Sequence, residues 1–168
     1  MESLLSLTSV KISEGVKSIM EGAFAYEIYL NSVTLPDSLE SIGDDAFAYS
    51  GIKKLNIPKK VDYLSGKMFY NSSITEFTVD ENNPNYTSYK GDIYSKDMSE
   101  FVVGAPGKYF DDAFYETDFP SSVSVIAPYA FYMSQVINVT IPSHIKEIRN
   151  MAFAGSAIEN LYIDSGLQ

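Results

Sequence analysis

The feature that most limits this chain is a phenylalanine that returns at a fixed distance after each of four apolar-proline pairs. The pairs are Leu35-Pro36, Ile57-Pro58, Phe119-Pro120 and Ile141-Pro142, and within the first two and the last two the prolines are 22 residues apart. Apolar residues follow each proline at +3 and +6: Leu39 and Ile42, Val61 and Leu64, Val123 and Ile126, Ile145 and Ile148. Phe47, Phe69, Phe131 and Phe153 stand at +11, each preceded by Ala46, Met68, Ala130 or Ala152. A fifth copy has Ser13 in the proline's place, 23 residues before Pro36, with Val16, Ile19, Ala23 and Phe24 in register. Self-similarity at such a period is the mark of a stacked repeat, in which one copy cannot bury its own apolar face and neighbours share a core.

Ahead of each junction the apolar residues alternate: Val10 and Ile12, Val33 and Leu35, Leu55 and Ile57, Val139 and Ile141, Leu161 and Ile163. Alternation reads as a short strand with one buried face. The proline ends it, because proline cannot donate to a ladder. The +3/+6 pair suits a second short segment on an opposite wall, and Ala-Phe fills the interior where the chain turns back. Ser50, Ser72, Ser134 and Ser156 follow the turn, where a hydroxyl is expected to bond local backbone. An excess of 15 Ile and 11 Val over 10 Leu agrees with strands.

Between the second and third pairs the register is interrupted. Phe77 and Val79 hold the strand position one period after Leu55 and Ile57, and Phe119 resumes it 40 residues later. Within that stretch Tyr89-Lys90-Gly91-Asp92-Ile93-Tyr94 and Glu100-Phe101-Val102-Val103 flank a polar Lys96-Asp97-Met98-Ser99, the pattern of a β-hairpin. Ala113-Phe114 imitates the repeat pair but lies out of register. The chain therefore reads as one solenoid domain over 1–168. Its repeats fall at about 4–29, 30–52, 53–74, an interrupted 75–79, 117–137, 138–158 and a partial 159–168, with an insert at 80–116.

The runs SVTLPDSLESIGDDAFAYSGIKKLNIP and NVTIPSHIKEIRNMAFAGSAIENLYI resemble the BspA-type leucine-rich repeat of bacterial surface proteins. The stretch VDENNPNYTSYKGDIYSKDMSEFVVGAPGK is similar to the hairpin insert common in that family. The resemblance implies a β-rich, right-handed coil of short parallel strands with 22–23-residue repeats and an inserted β-hairpin. It also implies an extracellular or bacterial cell-surface location, and adhesion to host or cell-surface partners. The family often carries cysteine near the turn where this chain has Ser50, Ser72, Ser134 and Ser156.

Composition removes competing functions. The chain has no cysteine and one histidine, His144, which excludes thiolate chemistry and multi-histidine metal sites. Its net charge of −10 repels phosphate backbones, so nucleic acid is not an expected partner. No apolar run is long enough to cross a membrane as a helix. The acidic pairs Asp44-Asp45, Asp80-Glu81 and Asp111-Asp112 lack a calcium-loop pattern and read as solvated turns. His144 reads as a surface residue of a turn. Neither a catalytic constellation nor a metal or cofactor is expected.

Two candidate surfaces remain. Strand alternation points Lys11, Thr34, Lys54, Asn56, Glu76, Thr78, Asp118, Asn138, Thr140, Asn160 and Tyr162 outward from one sheet. That row reads either as a binding face or as a solvated one. Tyr86, Tyr89 and Tyr94 crowd the insert, where tyrosine offers contact area with a polar tip, or covers the hairpin. The functional expectation is a noncatalytic surface or secreted module for protein or glycan partners; a structural spacer within a larger surface protein is the alternative. Met1-Glu2-Ser3 lacks the features of a secretory leader, and neither terminus has a polar cap. A fragment or a processed form is expected, with end-to-end self-association open to its uncapped rungs.

Overall fold

A regular copy contributes a pair of short strands, because alternate apolar residues on either side of the proline turn can both reach one interior. The computed structural model describes residues 7–108 and 119–164. The first two copies give β1 (Ser9–Lys11) with β2 (Ser18–Ile19), and β3 (Ser32–Thr34) with β4 (Ser41–Ile42). The third gives β5 (Lys54–Ile57) and a 3-10 turn at Gly66–Met68, and β6 (Glu76–Val79) opens the fourth. The insert holds β7 (Tyr86–Tyr89), β8 (Asp92–Ser95) and β9 (Glu100–Val103). The last copies add β10 (Val125–Ile126), β11 (Asn138–Ile141), β12 (Glu147–Ile148) and β13 (Asn160–Ile163).

Like strands pair parallel, one period apart. On the first wall Val10 lies beside Val33, Leu55 beside Phe77 and Val139 beside Leu161. On the second, Ile19 lies beside Ile42 and Ile126 beside Ile148. In β5, Leu55 and Ile57 are buried while Lys54 and Asn56 are exposed, as the alternation requires. The residue at the proline position also shapes the corner. Its carbonyl accepts the amide of the residue at +3 in every copy, with N···O distances from 2.9 Å at Val123 to 3.4 Å at Val16, where Ser13 does the same.

The third side of each turn is irregular backbone held by left-handed residues two before and two after the phenylalanine. These are Gly22 and Tyr26, Asp45 and Tyr49, Tyr129 and Met133, Met151 and Gly155, with φ between 53° and 65° for all but Gly155, at 68°. Around Phe69 the 3-10 turn replaces the first of them, and Asn71 is the second. This geometry turns the phenylalanine amide towards the next copy. Phe24 N–H donates to the Ala46 carbonyl at 2.8 Å, Phe47 to Met68 at 2.9 Å and Phe131 to Ala152 at 2.7 Å. The rings stack behind these bonds at 5.6 Å for Phe24–Phe47, 6.1 Å for Phe47–Phe69 and 5.1 Å for Phe131–Phe153.

The insert departs from the simple hairpin expected of it. Lys90 (φ 51°) and Gly91 (φ 85°) form a two-residue turn that splits the Tyr89–Tyr94 run, so three strands run antiparallel, β7–β8–β9. β9 then pairs parallel with β10, setting Glu100 beside Val125 and Phe101 beside Ile126. The last strand of the insert is thus a rung of the second wall. Phe101 stacks on Phe131 at 4.9 Å and supplies the phenylalanine that the interrupted copy lacks. Ile93, Val102 and Val103 join the core of the first three copies, while Tyr94 and Phe101 join the core of the later ones. The insert fastens the two halves together. Ala113-Phe114 and the start of the 117–137 repeat lie outside the described residues.

The serines after the turns correct a second expectation. Ser50, Ser72 and Ser134 are buried and their hydroxyls have no hydrogen-bond partner; Ser156 alone of the four donates to a carbonyl, that of Phe153, at 2.7 Å. In all four copies the phenylalanine carbonyl accepts the serine's own amide, at 3.0 Å for Ser72 and Phe69, and only at Ser156 does the hydroxyl join it. A buried hydroxyl without a partner costs stability. Ser72→Ala is therefore expected to stabilise the fold by about 1–2 kcal/mol in chemical denaturation, and a loss of stability would mean that the hydroxyl is bonded. Met151, left-handed at φ 55° and exposed, gives a second test. Met151→Gly is expected to raise the melting temperature and Met151→Val to lower it, each by the equivalent of about 1 kcal/mol.

Candidate functional site

The outward row is built as the alternation implies, but its side chains largely serve one another. Lys11, Thr34, Lys54, Asn56, Thr78, Asn160 and Tyr162 are exposed; Glu76, Asn138 and Thr140 are half-buried; Asp118 lies outside the described residues. Parallel pairing places equivalent residues side by side. Lys54 pairs with Glu76 at 2.5 Å, Thr78 donates to the Asn56 side chain at 3.0 Å, and Asn160 donates to Asn138 at 2.9 Å. Lys11, Thr34, Thr140 and Tyr162 make no such bond among the described residues. The row is also not a single sheet: β1–β3, β5–β6 and β11–β13 are separate two-stranded ladders. At its far end Leu161, Tyr162 and Ile163 are all exposed on β13.

The three insert tyrosines part company. Tyr94 is 1% exposed and packs edge-on against Phe101 at 5.2 Å, so it is a core residue and not a contact surface, because β8 turns that face inward. Tyr89 is exposed, with the Lys90 ammonium 5.7 Å from its ring centre. Tyr86 is half-buried, and its hydroxyl donates to the Asp62 carbonyl at 3.2 Å.

Tyr86 lines a cleft of about 390 Å³ formed where the insert meets the repeats. Asp62, Tyr63 and Leu64 of the third copy form one side, and Ala127 and Pro128 another. Asn85, Tyr86, Ser95, Glu100 and Val102 of the insert close it. Buried Asn83 holds this arrangement. Its amide donates to the Pro58 and Val61 carbonyls, both at 3.0 Å, and its carbonyl oxygen accepts the Asn85 and Tyr86 amides at 2.9 Å. Asp92, also buried, accepts the Ala105 amide at 2.8 Å and pairs with Lys108 at 2.6 Å.

The cleft is electronegative. Glu100 pairs with Arg149 at 2.8 Å, and Arg149 also binds Glu147 at 2.9 Å, so one guanidinium serves two carboxylates. Asp62 is exposed and has no ion-pair partner among the described residues. Burial foremost, with the Asp62 and Glu100 carboxylates adding to it, pushes the Tyr86 phenol above the ordinary tyrosine value, against an opposing bond from the Leu64 backbone.

Sequence reasoning singled out Tyr86 but missed Asp62, Tyr63 and Glu100. The available signal was Tyr63, an aromatic at the +5 position where other copies carry Ser41, Val125 and Glu147. His144 is half-buried with an unpartnered Nε2 and does not sit freely on the surface. Asp44 pairs with Lys67 at 2.5 Å and Asp80 accepts the Asn82 amide at 2.8 Å, so both are turn residues. Asp111-Asp112 lies outside the described residues. Among the described residues no group of three or more potential ligands could hold a metal ion, and no helix is long and apolar enough to cross a membrane.

Residues 2–111 and 106–168 match a family model described as the BspA type leucine rich repeat region, in six copies. No curated protein matches the chain. Among solved structures it is similar to the pneumococcal vaccine antigen PcpA, with 24% identity and a TM-score of 0.75 over 96% of this chain and 40% of that one. It is similar also to a leucine rich cell surface protein from Faecalibacterium prausnitzii A2-165, with 26% identity and a TM-score of 0.73 over 96% and 42% of the two chains. A leucine-rich repeat protein from Eubacterium ventriosum shares 18% identity with a TM-score of 0.55, over 95% of this chain and 61% of that one. The chain thus spans about two fifths of the length of the first two proteins.

The turn that joins β8 to β9, and so positions Ser95 and Glu100, is held by Asp97. One carboxylate oxygen accepts the Ser95 and Ser99 hydroxyls at 2.7 Å each and the Ser99 amide at 3.1 Å, which lowers the Asp97 pKa to about 2. Because the folded value is depressed, this contribution to stability is present above the ordinary carboxylate value of about 3.9 and is lost as pH falls from there through about 2. NMR titration is expected to place the Asp97 midpoint near its depressed value, and Ser95→Ala with Ser99→Ala to return it towards the ordinary one. A midpoint of about 4 in the native chain would contradict this geometry.

Proposed function

The chain belongs to the BspA-type leucine-rich repeat family, and from that premise we propose that it is a noncatalytic cell-surface or secreted module that binds protein or glycan partners. The observation that carries this reading is the cleft between insert and repeats. Its lining includes an exposed carboxylate and an exposed Tyr63, polar and aromatic groups that the fold itself leaves available. A concave feature with aromatic walls and a few convergent polar groups is what small recognition sites require. One of the similar structures is named as a cell surface protein, which supports the location.

A spacer role is the second reading, and the outward row favours it. Lys54–Glu76, Asn56–Thr78 and Asn138–Asn160 tie successive turns together, which is how a solenoid surface behaves when it stiffens a stalk. Purified chain applied to immobilised extracellular-matrix proteins and to a glycan array separates the two. Saturable binding to at least one member is expected. Silence across both panels, with binding by a longer surface protein unaffected when residues 1–168 are excised from it, would leave only the spacer.

A further inference from the structure

We propose that the cleft receives a lysine or arginine side chain of a partner polypeptide, seated against the Tyr63 and Tyr86 rings and neutralised by the Asp62 and Glu100 carboxylates. The inference deepens the binding-module reading and rests on it. Its starting point is a carboxylate left without a counterion at the cleft. Four other carboxylates meet lysines one period away: Glu40 with Lys17 at 3.3 Å, Asp37 with Lys59 at 2.8 Å, Asp44 with Lys67 and Glu76 with Lys54 at 2.5 Å. Asp62 is the next member of the Lys17–Glu40 column, since its amide donates to the Glu40 carbonyl. On its far side stands the cleft, across which the column resumes with Ser99 and Ser124, so the residues that follow Asp62 carry no charge until Lys146.

Charge and shape agree on the occupant. Arg149, beyond the lining, serves both Glu100 and Glu147, and Asp62 on the lining has no ion-pair partner among the described residues, so the cleft keeps an excess of negative charge. That excess repels anions and leaves a neutral ligand no electrostatic advantage. A volume of about 390 Å³ accommodates one long side chain rather than a folded domain. Tyr63 is 57% exposed at the rim, where a phenol face attracts a cation and its alkyl stem.

The test uses the full chain and three peptides, Gly-Ser-Lys-Ser-Gly and its counterparts with arginine or norleucine at the centre, followed by amide NMR titration. Saturable shifts confined to the residues around Tyr63, Tyr86 and Glu100 are expected with lysine and arginine and none with norleucine. Asp62→Asn is expected to weaken binding about fivefold and Tyr63→Ala about threefold, while the distant Glu159→Gln leaves it unchanged. Asp62 and Tyr63 are exposed, so unchanged melting temperatures keep these variants interpretable. Equal response to norleucine, or shifts spread over the acidic surface and equally reduced by Glu159→Gln, would overturn the assignment. A protein or glycan ligand found on the panels whose binding ignores Asp62→Asn and Tyr63→Ala would sustain the module and remove the cleft from it.

Discussion

The coil depends on a backbone hydrogen bond repeated along it, from the amide of a repeat phenylalanine to the carbonyl just before the next, broken among the described residues only at Phe69, whose amide turns back to Gly66. Phe24, Phe47 and Phe131 all make it, at 2.7 to 2.9 Å. To aim that amide along the stack, the backbone must turn through left-handed residues on both sides, most of which are not glycine. Such residues are individually unfavourable. They persist because the phenylalanine ring behind each bond is buried and stacked on its neighbours, so local strain and core packing are settled at the same position.

Period, alternation and the Ala-Phe pair were readable because each is a position-by-position constraint that parallel stacking imposes on every copy. Leu55 must face the core for the same reason as Val33 and Phe77. What resisted reading was whatever occurs only once. Lys90-Gly91 divides a run that looks like one strand, since nothing local reveals that Lys90 adopts a left-handed conformation. β9 enters the second wall by pairing with β10, a partner some 25 residues further along the chain, and no periodicity records that. Tyr94 and Tyr89 look alike in sequence, and only the facing of β8 and β7 buries one and exposes the other.

The candidate surfaces divide along the same line. The outward row was legible because it follows the period, and for that reason its side chains meet their own equivalents and become partners in the structure. The cleft was illegible because it is assembled from the third copy, the insert and the fifth, which the repeat does not relate. Asn83 is its keystone, joining Pro58 and Val61 to Asn85 and Tyr86 through a single side chain. In a repeat protein, a site with groups to spare for a ligand arises more readily where the repetition fails.

The failure has a geometric aspect as well. On the edge that carries the repeat phenylalanines, the third copy lies directly on the fifth: a β-carbon at Gly66 would fall 1.9 Å from the Tyr129 carbonyl oxygen, and the Tyr70 and Tyr132 rings meet at 5.4 Å. On the second wall β9 stands between those same copies. One side of the stack is therefore closed where the other takes in the insert, whose strands continue from β10 through β9 to β8 and β7. The layers there splay like pages held at the spine, and the cleft is the mouth of that opening. A substitution that parted Gly66 from Tyr129 at the closed edge would therefore be felt at the cleft as well.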